Sequence, residues 1–170
     1  MLLSEKILYV LYELLKTLVC IFFNTLNILL AGNMPPLGTV CAIVEDEGRF
    51  LIVENSRGGW SFPGGFMRWR ETPAATAVRE CEEETGLRLQ VRGVVGFHVE
   101  SSAGFTSLST LTHVYYGEVV GGKLRGSIEG RPRWLDEAEL RARLSGQSAA
   151  MFAEYERCQT RPGKMNARHV

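Results

Sequence analysis

Net charge is the first thing this chain lacks: nineteen Lys and Arg offset nineteen Asp and Glu, for a formal net charge of zero. Such a chain has no long-range field to draw it to a nucleic acid polymer, so recognition of an anion has to be local. Paired cysteines are missing too. Cys20, Cys41, Cys81 and Cys158 stand far apart with no C-x-x-C pair, which argues against a zinc site or a disulfide framework and predicts reduced, mostly buried thiols in the cytoplasm. The three histidines, His98, His113 and His169, are isolated, so no histidine cluster is available to hold a metal. There is no internal repeat and no low-complexity run. At 170 residues the chain has room for one ordinary domain and a helix or two.

Proline and glycine are absent from residues 7–31, "ILYVLYELLKTLVCIFFNTLNILLA", and this long apolar run predicts a helix. Its polar or small members, Lys6, Glu13, Lys16, Cys20, Asn24, Asn27 and Ala31, recur at steps of three, four or seven, along one narrow stripe. The segment is long enough to span a bilayer, although Glu13 and Lys16 are costly inside one. Glu5 and Glu13 dilute the basic start of a signal peptide, and "LLAGNM" lacks an A-x-A-like cleavage site. Membrane association, spanning or in the interface, is the expectation; packing on the domain or pairing with a second copy as a homodimer is the alternative.

"GNMPPLG", residues 32–38, is a helix breaker and marks a boundary: a hydrophobic helix over 1–33, a domain over 34–158 and a basic tail over 159–170. "TVCAIVE" (39–45) and "RFLIVEN" (49–55) read as a hairpin across "DEG". Residues 89–100 and 108–120 read as strands. A short strand around Trp134 leads into a helix capped by Asp136, and 148–158 reads as another helix.

Between these lies an acidic segment. Thr72 followed by Pro73 opens a helix and Gly86 stops it. Ala74, Ala77, Val78, Cys81 and Thr85 form the side packed on the sheet, while Glu80, Glu83 and Glu84 share another. Two carboxylates about 6 Å apart repel by roughly 3 kcal/mol at an effective dielectric of 20, so a positive partner is required. Arg79 can neutralise one carboxylate, and a hard divalent cation suits the remaining oxygens. "WSFPGGF", residues 60–66, sets Gly64 and Gly65 before this helix, where they permit backbone angles and close approach that other residues forbid, so that the loop can bring main-chain groups and Glu71 to the same cation.

Gly65, five residues, Glu71, seven residues, then Arg79-Glu80-Cys81-Glu82-Glu83-Glu84-Thr85-Gly86-Leu87 resembles the Nudix box, G-x5-E-x7-R-E-U-x-E-E-x-G-U with U a bulky apolar residue. Every charged and glycine position matches, and only Cys81 is soft, standing where the first U falls. The resemblance to the MutT-like Nudix hydrolases covers residues 37 to about 158.

The fold this resemblance implies is α/β, a Nudix α/β/α sandwich with a mixed sheet, preceded here by the long hydrophobic helix. The activity it implies is Mg²⁺- or Mn²⁺-dependent hydrolysis of a nucleoside diphosphate linked to another group, on a nucleotide-type small molecule. By resemblance, Glu80, Glu83, Glu84 and the Gly65 main chain hold metal, Glu80 or Glu83 acts as base, Arg79 orients the glutamates, and Gly64, Glu71 and Gly86 support the loop and helix. A further carboxylate from outside the box is sought among Glu100, Glu118 and Glu129. Members favouring ADP-ribose often carry a proline some fifteen residues after the box, and diadenosine polyphosphate enzymes a nearby tyrosine; this chain has "ESSAG" there. Phe97, Phe105, Tyr115 and Tyr116 are candidates to stack on a base, and Arg57 and Arg68 to meet phosphate, so nucleoside triphosphates, nucleotide sugars and dinucleotides all stay open. A Nudix-fold module that senses a nucleotide without turning it over is the rival reading. An anchored enzyme is expected at the cytoplasmic face of a membrane.

Overall fold

The computed structural model describes residues 3–55 and 58–160, with side chains from residue 7. Arg57, His169 and the tail beyond residue 160 therefore lie outside the described residues, as does the side chain of Lys6. Among the described residues, four helices and seven strands follow one another as α1 (Leu3–Leu29), β1 (Leu37–Asp46), β2 (Arg49–Asn55), β3 (Trp60–Ser61), β4 (Gly64–Phe66), α2 (Pro73–Thr85), β5 (Leu87–Glu100), β6 (Thr110–Gly122), β7 (Gly130–Asp136), α3 (Glu137–Arg143) and α4 (Gly146–Gln159). Contacts divide the chain into two compact units: the N-terminal segment through Leu37 with Val99–Leu111, and Gly38–His98 with the chain from Thr112 onward.

The larger unit is a mixed sheet between helices. Strand order is β3-β2-β1-β6-β5, with β4 paired to β1 and β7 paired to β2. Along β1, Cys41 and Ile43 point into one apolar cluster while Val40, Ala42 and Val44 point into the other. A strand buried on both faces has no polar side to alternate, which is why its sequence is continuously apolar. The first cluster is closed by Leu140 of α3 and Met151, Phe152 and Tyr155 of α4. The second is closed by Ala77 and Cys81 of α2. Helices on both faces of one sheet give the expected α/β/α sandwich.

Local chemistry sets the ends of α2 and α3. The Thr72 hydroxyl accepts from the Ala75 N–H at 3.2 Å, with Pro73 at the first helical position. Gly86 ends α2 at φ +74°, its N–H donating to Glu82 O, a left-handed conformation that favours glycine. Asp136 caps α3 by accepting from the Glu139 N–H at 2.8 Å.

The smaller unit is α1 with the segment between β5 and β6. Ile7–Leu29 is long and apolar enough to cross a membrane, and none of that stretch is buried. The Asn24 side chain donates to Ser107 O at 2.8 Å and accepts from the Ser102 hydroxyl at 3.3 Å. β6 starts at Thr110 rather than at 108. The Ser109 carbonyl still accepts from the Leu37 N–H of β1, while its hydroxyl accepts from the Ser102 N–H.

A candidate active site on the acidic helix

The face of α2 turned to the sheet is Ala77, Cys81 and Thr85, all fully buried, with Ala74 and Val78 packed alongside. That packing fixes the helix rotation and so presents Arg79, Glu80, Glu83 and Glu84 together. Arg79 is the hub. Its Nε and one terminal nitrogen donate to the two oxygens of Glu71 at 2.8 and 2.9 Å, its other terminal nitrogen donates to Glu80 at 2.7 Å and to Glu83 at 3.0 Å, and Phe66 O accepts at 3.0 Å. All five donors of a guanidinium are thereby used. Arg79 thus ties the loop carboxylate Glu71 to the helix carboxylates Glu80 and Glu83.

Glu71 is the best-satisfied acid of the group. Besides Arg79 it accepts from the Thr76 hydroxyl at 2.8 Å and the Arg68 N–H at 3.1 Å. Hydrogen bonding by Arg79, above all, holds its pKa down to about 2. Glu83 receives a second cation, the Arg68 guanidinium, at 2.9 Å.

Glu80 and Glu84 are pushed the other way. Burial raises the Glu80 pKa against the opposing pull of Arg79, with Glu83 and Glu129 adding to the rise. Glu84 is buried, and its one hydrogen-bonded cover from the loop is the Gly64 N–H at 3.2 Å. Burial first, and then its hydrogen bond and charge repulsion with Glu129, raise Glu84 well above the usual carboxylate range. Glu129, just ahead of β7, is thus the candidate from outside the box that reaches the acidic helix. Glu118 is instead paired with Arg92, and Glu100 lies exposed at the end of β5.

Space explains the two loop glycines. A Cβ on Gly64 would lie 2.2 Å from Val40 O, and one on Gly65 would lie 2.6 Å from a Glu80 carboxylate oxygen. Neither has a positive φ. The need at this turn is for close approach, and the freedom of backbone angle is not used.

Tyr115 is buried and Tyr116 packs on the core. Phe97 is exposed, edge-on to His113 at 4.9 Å, and Phe105 is exposed in the segment between β5 and β6. A cavity of about 590 Å³ lined by Glu54, Trp60, Arg133, Trp134, Glu139 and Arg143 opens at the β7 edge. There the Arg143 guanidinium lies 4.8 Å over the Trp60 ring.

As placed, the carboxylates turn to Arg79, to Arg68 and to each other, and no group of three or more acidic, histidine or cysteine side chains among the described residues encloses a metal position. The donor set still fits a hard divalent cation. Glu84 and Glu129 share a site that only a proton or a cation can make favourable, and their oxygens are of the type Mg²⁺ and Mn²⁺ prefer. Cys41 and Cys81 are buried and offer no competing soft site.

The helix-flanked sheet is shared with known proteins. A model of the NUDIX domain matches residues 34–155. A MutT-like protein of Streptomyces ambofaciens is 32% identical over 119 residues, covering 67% of this chain and 74% of that one. A CMP-5'-(N-acetyl-N-hydroxy-3-aminopropyl)phosphonate hydrolase of Streptomyces rubellomurinus is 36% identical over 113 residues, or 59% of this chain and 53% of its own length. An ADP-ribose pyrophosphatase of Methanocaldococcus jannaschii is 27% identical over 100 residues, or 56% of this chain and 59% of its own. Among solved structures, the MutT protein of Methanosarcina mazei superposes with a TM-score of 0.65 at 23% identity, over 76% of this chain and 99% of that one, a likeness of fold. The chain belongs to the Nudix family of hydrolases.

Proposed function

We propose that this Nudix hydrolase cleaves a pyrophosphate bond in a nucleoside diphosphate linked to another group, with Mg²⁺ or Mn²⁺ as cofactor. The observation that carries the proposal is the Arg79 hub: one guanidinium holds Glu71, Glu80 and Glu83 together while Glu84 and Glu129 are pressed into contact beside them. Holding so many carboxylates in one place is unfavourable unless a cation binds there.

Glu80, Glu83, Glu84, Glu129 and the Gly65 main chain are the groups that would hold metal. When bound, the cation would offset charge on the bridging phosphate oxygens and lower the pKa of water. Glu83 or Glu80 takes a proton from the attacking water, and the pyrophosphate splits as the new oxygen–phosphorus bond replaces the bridging one. Arg79 touches no substrate in this account; it fixes where the carboxylates point. Glu71 anchors Arg79 to the loop, and Gly64 and Gly86 let the turn and the helix end adopt their form.

The apolar α1 supports attachment to a membrane, with the catalytic unit at the cytoplasmic face where nucleotides are. The relatives that hydrolyse a CMP-linked phosphonate and ADP-ribose favour a nucleotide carrying a second moiety as the first substrates to try, with "ESSAG" at residues 100–104 weighing against ADP-ribose itself. Incubating the full chain with Mg²⁺ and a panel of nucleoside triphosphates, nucleotide sugars and dinucleotides, with products identified by mass spectrometry, tests the reading. Cleavage between two phosphorus atoms that is lost in Glu83→Gln supports it. A folded, Mg²⁺-binding protein that cleaves nothing in the panel points to a nucleotide sensor instead.

A further inference from the structure

We infer that α1 lies in the plane of a membrane, its apolar arc in the acyl chains and its polar stripe toward water, and does not cross the bilayer. This rests on the membrane attachment proposed above and specifies its geometry.

The stripe is continuous. Glu13, Lys16, Thr17, Cys20, Asn24 and Asn27 fall within roughly 100° of the circumference at 100° per residue. Apart from Lys16 these are half-buried, whereas Leu11, Leu14, Leu15, Leu18, Phe22 and Ile28 are exposed. The helix therefore carries its apolar side outward. Around Asn24 and Asn27 the cover is the unit's own chain: Asn24 donates to Ser107 O and accepts from the Ser102 hydroxyl, and Asn27 accepts from the Met34 N–H at 3.1 Å.

A spanning orientation conflicts with these bonds. At 1.5 Å per residue Glu13 and Asn24 are about 16 Å apart along the axis, on opposite sides of the middle of Ile7–Leu29. Both would sit inside a hydrocarbon layer about 30 Å thick. Sliding the helix to bring one to the interface drives the other toward the centre. Asn24 would also carry its partners with it, and the irregular backbone at Ser102–Ser107 cannot face lipid, because its polar groups need water or protein. Lying flat removes both conflicts, since the whole stripe faces the same way.

The width of the apolar arc identifies the occupant as lipid. Between Ile7 and Leu29 the stripe leaves roughly 260° that is apolar apart from Thr25, whose hydroxyl donates to Ile21 O of its own helix, whereas a helix packed in a soluble protein presents a stripe of about 100° to its neighbour. A second copy would leave leucines uncovered on both flanks. Immersion by about 5–10 Å at the acyl boundary covers a broad arc along the full length of the helix.

The test uses the full chain with a protease-sensitive peptide ahead of Met1, reconstituted from detergent into vesicles of phosphatidylcholine and phosphatidylglycerol. Flotation reports attachment, and external protease followed by detergent reports sidedness. The expected result is co-flotation with the N-terminal peptide and the catalytic unit exposed together or protected together. Co-flotation with the peptide protected in molecules whose catalytic unit is exposed would overturn the in-plane geometry while leaving attachment intact. Failure to float overturns both, and a dimer under those conditions assigns the arc to a second copy.

Discussion

Arg79 and Glu71 face each other as a fork on a fork, two parallel hydrogen bonds of 2.8 and 2.9 Å between one guanidinium and one carboxylate. The same guanidinium also holds Glu80 and Glu83. Lysine at position 79 keeps the charge but offers a single point of contact. Arg79→Lys is expected to leave the fold intact and lower kcat by about a hundredfold or more, the scale of an ångström's misplacement at a reacting centre. Steady-state kinetics across a Mg²⁺ titration check this, and an unchanged kcat would remove Arg79 from its orienting role.

Glu71 carries a pH signature of its own. Its folded pKa, about 2, lies below the ordinary value of 4.5, so its contribution to stability is complete above that ordinary value and is lost as pH falls toward 2. Glu71→Gln should therefore flatten the acid limb of the stability profile. Urea midpoints at about pH 5 and pH 3 measure it; a variant that loses stability as steeply as the parent between those values contradicts the assignment.

Glu84 has the opposite sign. Its folded pKa is raised, so without metal the folded state keeps a proton the unfolded state gives up, and stability declines as pH rises from the ordinary 4.5 toward the raised value. Mg²⁺ competes with that proton. Its stabilising shift in Tm should grow between about pH 6 and pH 8 and lose that growth in Glu84→Gln. A shift independent of pH in the parent protein would contradict a metal role for this pair.

The two glycines before α2 should separate stability from activity. A methyl group at position 64 meets backbone, Val40 O at 2.2 Å, which cannot yield locally. Gly64→Ala should cost about 1–3 kcal/mol, as overpacking does. At position 65 the obstacle is the end of a side chain, the Glu80 carboxylate. Gly65→Ala should fold nearly as well and lose activity because Glu80 is displaced. Thermal melts and kcat measured side by side would show the split, and equal effects of the two substitutions would argue against it.

Much of this was legible because the physics is local. Thr72, Pro73 and Gly86 bound α2 by their own backbone preferences, and a strand buried on both faces announces itself by unbroken apolarity at residues 40–44. The spacing from Gly65 to Leu87 sufficed to bring Glu71 and the helix carboxylates together. What the sequence left open depends on distant chain. Glu129 was one of three acidic candidates, and only the course of the segment before β7 singles it out. For Arg68 the sequence leaves phosphate and solvent both open, and it does not reveal that the guanidinium pairs with Glu83. The glycine pair offers both unusual angles and close approach, and the fold uses only the second. β6 begins at Thr110 and not at 108, and the bond from the Ser102 N–H to the Ser109 hydroxyl just before it is one that no periodicity reveals.

The central claim is that these carboxylates direct water onto phosphorus. Hydrolysis of a cleaved panel substrate in oxygen-18 water with Mg²⁺, followed by mass spectrometry of both products, tests it most directly. The account predicts a single labelled oxygen on a phosphate group of one product and no turnover above background in Glu83→Gln. Label on carbon, or equal turnover by that variant, would contradict it.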